Sequence, residues 1–315
     1  MTNIEYSADL SERMVKILLW GKEATRKTES ILRYFPRVLL IDTEGNSDQC
    51  IGMEEIPPFM RVVTKDVYEI VDILDQVGAG KVKFPGGAPV ETVGIDSVSV
   101  LWSVRQEAGS LNAERRVKKY RAGASPDDAT MTQLDWTIAK RPLKRLYSRM
   151  NGNPGVRFFV CTAREKDEFE KVMKNGREEL VKVGVIPDVM KGLGYDVNLA
   201  LHMQQTTGWQ CRVTKVQGLL GHTLPVGTTA SEFPAGVILE HATGSGTAVQ
   251  DEVDLAARQL ERETVKTRQD LLEEGAKRGL SAGDIGEALK AAGMQFDPSL
   301  WDRMVEVVTE YSARE

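Results

Sequence analysis

Short apolar runs alternate along the chain with longer segments in which apolar residues recur at helical spacing. The runs cover residues 15–20, 37–41, 59–63, 90–95 and 156–161. Because these runs are continuously apolar, they are typical of strands in a parallel sheet that is covered on both faces. Helical patterns cover residues 27–34, 66–77 and 132–150. The alternation of the two patterns predicts a doubly wound α/β fold.

Later segments have a different pattern. Two short runs within residues 171–183 flank Asn175 and Gly176, a dipeptide typical of a tight hairpin turn. Residues 199–203 and 210–216 indicate two further strands, which we expect to be antiparallel. Small residues at 241–246 then form a linker pattern, followed by helical patterns at 249–278, 281–294 and 298–312. We therefore predict a core domain over residues 1–245 and a helical C-terminal region over residues 246–315.

Charge divides the chain in the same way. Residues 249–315 carry fifteen acidic and nine basic side chains, a net of −6, whereas the whole chain has a net charge of −5. In the preceding part, residues 105–149 carry eleven basic and five acidic side chains. A basic segment of this kind suits a polyanionic partner, although a solvated helix face would have the same composition.

Composition excludes several classes of protein. Hydrophobic residues make up 41% of the chain and charged residues 28%, as in soluble globular proteins. No apolar stretch approaches the ~18 residues of a membrane span, and the polar first residues do not resemble a signal peptide. Three cysteines and three histidines are scattered, which argues against a disulfide framework or a zinc site. We expect a cytoplasmic protein with no membrane partner.

The first candidate site follows the first apolar run. It consists of Gly21, Lys22, Glu23, Ala24, Thr25, Arg26, Lys27 and Thr28. A phosphate-binding P-loop reads GxxxxGK[ST] between a strand and a helix, where backbone N–H groups, the lysine and the hydroxyl hold phosphates and Mg²⁺. Arg26 replaces the last glycine, and its Cβ costs ~1–2 kcal/mol if the loop requires a positive φ there. Its guanidinium would instead add a phosphate contact. An ordinary polar β–α turn is the alternative.

Two other predicted strands end in carboxylates. Residues 39–45 read LLIDTEG, and residues 93–101 read VGIDSVSVL. P-loop enzymes need a strand-end aspartate for the Mg²⁺ shell and a carboxylate that orients the attacking water. Asp96 suits the first role and Glu44 the second. Each acid alone would also serve as a helix or turn cap, but three matching strand ends in this order favour a nucleotide site.

In the order of these motifs the chain resembles the RecA-like ATPase core. It is most similar to the short phage ATPases of the AAA-type and RecA-like group that are associated with recombination and single-strand annealing. Their next core strand ends in a TAREK-like motif, and residues 162–166 read TAREK. The resemblance covers about residues 15–216. It implies ATP and Mg²⁺ as cofactors, with Thr28 and Asp96 at the metal, Lys27 on the phosphates, Glu44 on the water and Thr162 as a γ-phosphate sensor.

The same resemblance implies contacts with DNA and with a second subunit. In RecA-like proteins a loop after the aspartate strand faces DNA. We expect that loop at residues 103–130, with Arg115, Arg116, Lys118 and Lys119. Arg164 and Lys166 open the segment after the sensor, which touches single-stranded DNA in recombinases. Lys215 lies on a strand from which the family sends basic residues into a neighbouring active site. Solvated basic side chains are the alternative for each of them.

The sequence therefore predicts a phage-type recombination or annealing ATPase that assembles as a homo-oligomer on single-stranded DNA. The rival hypothesis is a nucleotide-dependent switch or assembly factor whose partner is another protein. The acidic residues 246–315 could bind a replication or recombination protein, regulate access of DNA by acidic competition, or simply cap the core. A small-molecule kinase is a weaker alternative, because no acceptor site or lid is evident in the sequence.

Overall fold

The structure, a computed structural model, describes residues 14–120, 125, 129–151, 153, 155–174, 177–205, 208–242, 268–295 and 301–313. The strands are β1 (Val15–Gly21), β2 (Val38–Asp42), β3 (Met60–Val63), β4 (Thr92–Asp96), β5 (Phe158–Lys174), β6 (Arg177–Pro187), β7 (Leu199–Gln205), β8 (Trp209–Val216) and β9 (Thr229–Ala230). The helices that precede residue 243 are α1 (Lys27–Tyr34), α2 (Val67–Gly78), α3 (Val98–Tyr120), α4 (Gln133–Asn151), α5 (Leu193–Asp196), α6 (Leu220–Thr223) and α7 (Ala235–His241).

The strands form one sheet in the order β3-β2-β4-β5-β1-β7-β8-β9, with β6 paired to β5. Neighbouring strands from β3 through β1 to β7 are parallel. The pairs β7–β8, β8–β9 and β5–β6 are antiparallel. Parallel strands place their carboxyl ends at one edge, so the ends of β1, β2, β4 and β5 meet there. The predicted α/β fold with a mainly parallel sheet flanked by helices is confirmed.

Apolar side chains fill both faces of the sheet, which explains the continuous runs. On β1, Ile17 and Leu19 pack with α1 and α7 on one face, and Leu18 packs with α2, α3 and α4 on the other. At α2, Asp66 accepts a hydrogen bond from the backbone N–H of Tyr68 and so caps the helix, as its position predicts.

Helix α3 replaces a predicted loop. Residues 103–120 continue the helix that begins at Val98, and the apolar face of this helix buries Leu101, Trp102, Ala113 and Val117. The basic run near its end resembled a loop in the sequence, but this apolar face packs on α4 and holds the segment helical. The predicted loop is therefore wrong for this part of the segment, and residues 121–124 and 126–128 lie outside the described residues.

The long β5–β6 ribbon confirms the predicted hairpin. Its strands pair antiparallel from Glu165 with Pro187 to Lys174 with Arg177. Strand β5 is much longer than the predicted run, because it continues from the sheet into the ribbon. The turn residues Asn175 and Gly176 lie outside the described residues.

The chain divides into two compact units, Met1–Glu252 and Val253–Glu315. The described part of the second unit contains helices α8 (Arg268–Ala276), α9 (Ala282–Ala291) and α10 (Trp301–Ser312). They share a small core that includes Leu271, Ile285 and Met304, and Ser281 caps α9. The predicted boundary near residue 245 lies outside the described residues and stays a prediction. Within the described residues, no helix is long and apolar enough to cross a membrane.

Candidate nucleotide-binding site

The loop between β1 and α1 has positive φ values at Gly21, Ala24 and Arg26. At its start, Gly21 has a φ of 153°, and a Cβ on this residue would lie 2.2 Å from the carbonyl oxygen of Met203. Only glycine allows β7 to approach the loop so closely. At the other end of the loop, α1 presents the free N–H groups of its first turn, which suit an anion.

Arg26 adopts the left-handed conformation, with φ 61° and ψ 27°, at the position of the missing glycine. The strain anticipated from the sequence is therefore present. The side chain is exposed and lies beside Glu29, with 3.8 Å between Nε and Oε2.

Arg26→Gly is expected to raise the free energy of unfolding by about 0.5–1 kcal/mol. Relief of the left-handed strain stabilises the folded state by ~1–2 kcal/mol. The greater conformational freedom of glycine in the unfolded chain offsets part of this stabilisation. ATP affinity should fall or stay level, since a cation is lost at the pocket. Urea unfolding of the nucleotide-free protein checks the first part. Arg26→Ala is the matched control, because it removes the guanidinium but keeps the Cβ and should gain no stability. A large rise in ATP affinity for the glycine variant would contradict this account.

The ammonium of Lys27 lies in the concavity of the loop. It donates hydrogen bonds to the carbonyl oxygen of Gly21 at 3.1 Å and to the hydroxyl of Thr25 at 3.2 Å. Burial lowers the pKa of Lys27, although the carboxylates of Asp96 and Glu44 oppose the shift. Loop oxygens thus hold this cation where a phosphate oxygen would compete for it.

Thr28 and Thr162 both donate hydrogen bonds to the carboxylate of Asp96. Thr28 bonds Oδ2 at 2.5 Å, and the fully buried Thr162 bonds Oδ1. Burial raises the pKa of Asp96, and the neighbouring carboxylate of Glu44 adds to the shift, while the two threonine hydrogen bonds oppose it. A carboxylate that is costly to bury without a counter-charge suits a cation partner.

Hydroxyl and carboxylate oxygens are the ligands that Mg²⁺ prefers, and it often takes one or two protein carboxylates with phosphates and water completing its shell. Thr28 and Asp96 therefore fit Mg²⁺. A metal site built from protein ligands alone is not found: within the described residues, no group of three or more His, Cys, Asp or Glu side chains is placed to hold a metal.

Glu44 is positioned by two neighbours. Its Oε1 accepts hydrogen bonds from the hydroxyl of Ser97 at 2.9 Å and from Nη2 of Arg164 at 3.1 Å. Its Oε2 has no hydrogen bond or ion pair among the described residues. One oxygen is thus anchored while the other stays available to a water molecule.

A buried carboxylate fixes the turn that carries Glu44. Asp42 accepts hydrogen bonds from the backbone N–H groups of Glu44, Gly45 and Ser47 and from the hydroxyl of Ser47. Burial alone would raise the pKa of Asp42, but these hydrogen bonds together lower it. The hydroxyl of Thr43 donates a hydrogen bond to the carbonyl oxygen of Ser97 and accepts one from the backbone N–H of Ser97. These two hydrogen bonds connect the turn to the end of β4.

These groups line one cleft of about 520 Å³. Of the predicted residues it is lined by Glu23, Ala24, Thr25, Arg26, Lys27, Thr28, Glu44, Asp96 and Arg164. Thr162 lies beneath it, bonded to Asp96. The volume lies within the usual range of ~300–1,000 Å³ for small-molecule sites. The structure thus brings together the predicted phosphate, metal and water-orienting residues.

The four predicted DNA contacts on α3 are not brought to this cleft. Arg115, Arg116, Lys118 and Lys119 lie near the end of α3, and Arg115 is about 25 Å along the helix axis from Val98. Arg116 is also bound to the buried carboxylate of Asp135 at 3.0 Å. A direct response of these cations to the γ-phosphate, which a loop would have allowed, is therefore not supported by the geometry.

Three other predicted cations have partners within the chain. Arg164 lies beside Glu44 in the cleft, and Lys166 pairs with Asp188 at 2.9 Å. Lys215 donates hydrogen bonds to the carbonyl oxygens of Gly194, Tyr195 and Val197, which precede β7 and lie at the sheet edge opposite the P-loop. Lys215 thus caps a helix end of its own chain, and its predicted intersubunit contact stays a prediction.

A polar chain on the other flank of the P-loop was missed from the sequence. The ring of His202 stacks on Trp20 with 3.8 Å between centroids, and its two nitrogens lie 3.1 Å from Glu165 and from Gln204. Glu165 also pairs with Lys22 at 3.9 Å. The strand register, which sequence spacing does not give, is what places β7 beside β1 and assembles this chain.

Comparison with known proteins adds little to this description. No family model and no curated protein matches the chain. Among solved structures, the flagellar accessory protein FlaH from Methanocaldococcus jannaschii is similar over 65% of this chain and 80% of that one, with 10% identity and a TM-score of 0.33. Likeness at this level carries no argument about function, which must be judged from the site itself.

Proposed function

We propose that the protein binds ATP with Mg²⁺ and hydrolyses it. The observation that carries the proposal is the convergence of Lys27, Thr28, Asp96 and Glu44 on one cleft at the carboxyl edge of the sheet. Phosphoryl transfer needs little covalent chemistry from a protein and depends on positioning and on charge stabilisation. This cleft offers both.

Each residue of the site has a distinct part in the proposed reaction. The N–H groups at the start of α1 and the Lys27 ammonium bind the phosphates, and Lys27 exchanges its loop oxygens for phosphate oxygens. Thr28 and Asp96 would hold Mg²⁺, which when bound neutralises charge on the phosphate oxygens. The free Oε2 of Glu44 orients the attacking water and accepts its proton. Arg164 adds positive charge beside that carboxylate.

We further propose that the ATPase acts on single-stranded DNA in recombination or annealing. The support is the motif order described above, from the P-loop through DTEG and the Asp96 strand to TAREK. Phosphate release should then rise when single-stranded DNA is added, because DNA contact would favour the catalytic arrangement. A steady-state ATPase assay with and without DNA tests both parts. No phosphate release in either condition contradicts the ATPase proposal, and equal rates contradict the DNA proposal alone.

One observation bears on the protein contact that both the expected homo-oligomer and the rival assembly factor would need. On the β5–β6 ribbon, Phe169, Met173 and Leu180 are 54%, 66% and 68% exposed, and strand pairing places them on one face. Apolar side chains grouped in this way are typical of an interaction surface. We propose a second copy of this chain as the partner, consistent with the expected homo-oligomer. The acidic C-terminal region remains the proposed contact for a replication or recombination protein.

Substitution of Met173 and Leu180 by serine is expected to weaken ATP-dependent self-association at least tenfold. Burial of each side chain in an interface contributes ~1.5–3 kcal/mol. Sedimentation velocity with a non-hydrolysable ATP analogue checks this. Val226→Ser, which removes a comparably exposed side chain (63%) far along the chain, is the control and should assemble like wild type. Unchanged assembly of the double variant would exclude the ribbon as the contact.

A further inference from the structure

A second large cleft lies along α4, away from the P-loop residues. It has a volume of about 640 Å³ and runs between one face of α4 and the segment that contains α5. On α4 its lining residues recur at helical spacing from Gln133 to Asn151. Nineteen helical residues span about 28 Å, so the cleft is an elongated groove rather than a compact pocket.

The groove is strongly cationic. Lys140, Arg141 and Lys144 line it from α4, and Lys191 lines it from the opposite side. Among the described residues none of these four is paired with a carboxylate. The single acid of the lining, Asp196, is already in contact with Asn151 at 3.5 Å. The groove therefore presents a surplus of positive charge that calls for an anionic ligand.

Aromatic rings accompany these cations. Tyr195 is 78% exposed at one wall, and Trp136 is half-buried at the other with the ammonium of Lys140 5.6 Å from its ring centroid. An exposed tyrosine ring has no packing role within the chain and offers a flat surface for stacking. Rings and cations along one groove are the features that bind a single nucleic acid strand, the rings by stacking with bases and the cations by neutralising phosphates.

We propose that the groove between α4 and α5 is the binding site for single-stranded DNA. The proposal rests on the DNA part of the proposed function and gives it a location, in place of the end of α3. Lys140, Lys144 and Lys191 bind phosphates of the strand. Tyr195 and Trp136 stack with its bases. The groove length suits the smallest sites of single-strand binders, which cover ~4 nucleotides.

Fluorescence anisotropy with a labelled oligothymidylate at several salt concentrations tests the proposal. Combined replacement of Lys140, Lys144 and Lys191 by alanine should flatten the salt slope by about 2, since each phosphate contact on a single strand contributes roughly 0.7. If the electrostatic contribution to binding vanishes near 1 M salt, wild type and variant bind equally well there. A slope difference of about 2 then corresponds to about a hundredfold loss of affinity for the variant at about 0.1 M salt. The control replaces Lys65, Lys81 and Lys83, which lie outside the groove, and should change the affinity little.

Tyr195→Ala separates stacking from charge. It should weaken binding about five- to 150-fold, which corresponds to ~1–3 kcal/mol per stacked base, and leave the salt slope unchanged. Tyr195→Phe keeps the ring and should bind like wild type. Because this side chain is exposed, neither substitution removes a core contact, and the result does not depend on how well the lysine variant folds.

The outcomes are distinguishable. If wild type binds and both the lysine and Tyr195→Ala variants bind equally well, the groove is not the site, and the proposed ATPase and DNA functions stand. Equal losses in the groove variant and the control would show a general charge effect and would also overturn the proposal. If wild type itself binds no oligothymidylate, the DNA function fails together with the groove, while ATP hydrolysis in the same preparation still reports on the P-loop.

Discussion

Lys27→Ala is expected to abolish ATP turnover or binding. Lys27 carries the ammonium that lies within the P-loop, and only loop oxygens now compete for it. Without it the cleft retains four carboxylates in its lining, those of Glu23, Glu29, Glu44 and Asp96. Loss of a preorganised group that stabilises developing charge costs roughly 10²–10³-fold in rate, and repulsion from the carboxylates should weaken binding as well. Phosphate release at saturating Mg²⁺ and ATP measures the effect.

Lys65→Ala is the matched control for this prediction. Lys65 is an exposed lysine between β3 and α2, and it does not line the nucleotide cleft. The control removes the same charge and should turn over ATP at the wild-type rate. If Lys27→Ala also kept the wild-type rate, the cleft would not be the site of hydrolysis.

Glu44→Gln is expected to separate binding from hydrolysis. The amide keeps the size of the side chain and can still accept the hydrogen bond from Ser97, but it cannot take a proton from water. Loss of a general base lowers rates by typically 10²–10⁴-fold. ATP affinity should stay within a few-fold of wild type, because Lys27, Thr28 and Asp96 are intact. Single-turnover hydrolysis and equilibrium titration give the two quantities.

Glu54→Gln serves as the control for that variant. Glu54 is an exposed acid outside the cleft, and its substitution should change neither binding nor turnover. A wild-type rate for Glu44→Gln would assign water activation to another group. A loss of ATP binding with intact folding would instead give Glu44 a role in binding the nucleotide.

The grouping of the candidate cleft residues was predictable because each of them lies at the end of a contiguous apolar run or in the loop and helix start that follow one. Parallel strands bring such ends to one edge, so Lys27, Glu44, Asp96 and Thr162 could be grouped before their distances were known. The positive φ of Arg26 also followed from the motif. In contrast, the roles of Asp42 and Thr43 depend on hydrogen bonds across the ends of β2 and β4, and sequence spacing does not show these.

The surroundings of the cations predicted to contact DNA or a second subunit could not be inferred from the sequence, for a different reason. Charge along a sequence does not reveal the direction of a side chain or the partner it meets. Arg116 meets a buried aspartate, Arg164 meets the glutamate of the cleft, and Lys215 meets three carbonyl groups of its own chain. The α4 groove combines two segments about fifty residues apart, residues 133–151 and 190–196. Its cations and rings therefore become one surface only in the folded protein.

Calorimetric titration of the wild-type protein with ATP, in Mg²⁺ and again in excess chelator, tests the central claim most directly. Binding should be saturable and should weaken strongly when the cation is removed, since Thr28 and Asp96, the proposed Mg²⁺ ligands, lie within hydrogen-bond distance of each other. Absence of binding at millimolar ATP with Mg²⁺ would contradict the claim that this cleft is a nucleotide site.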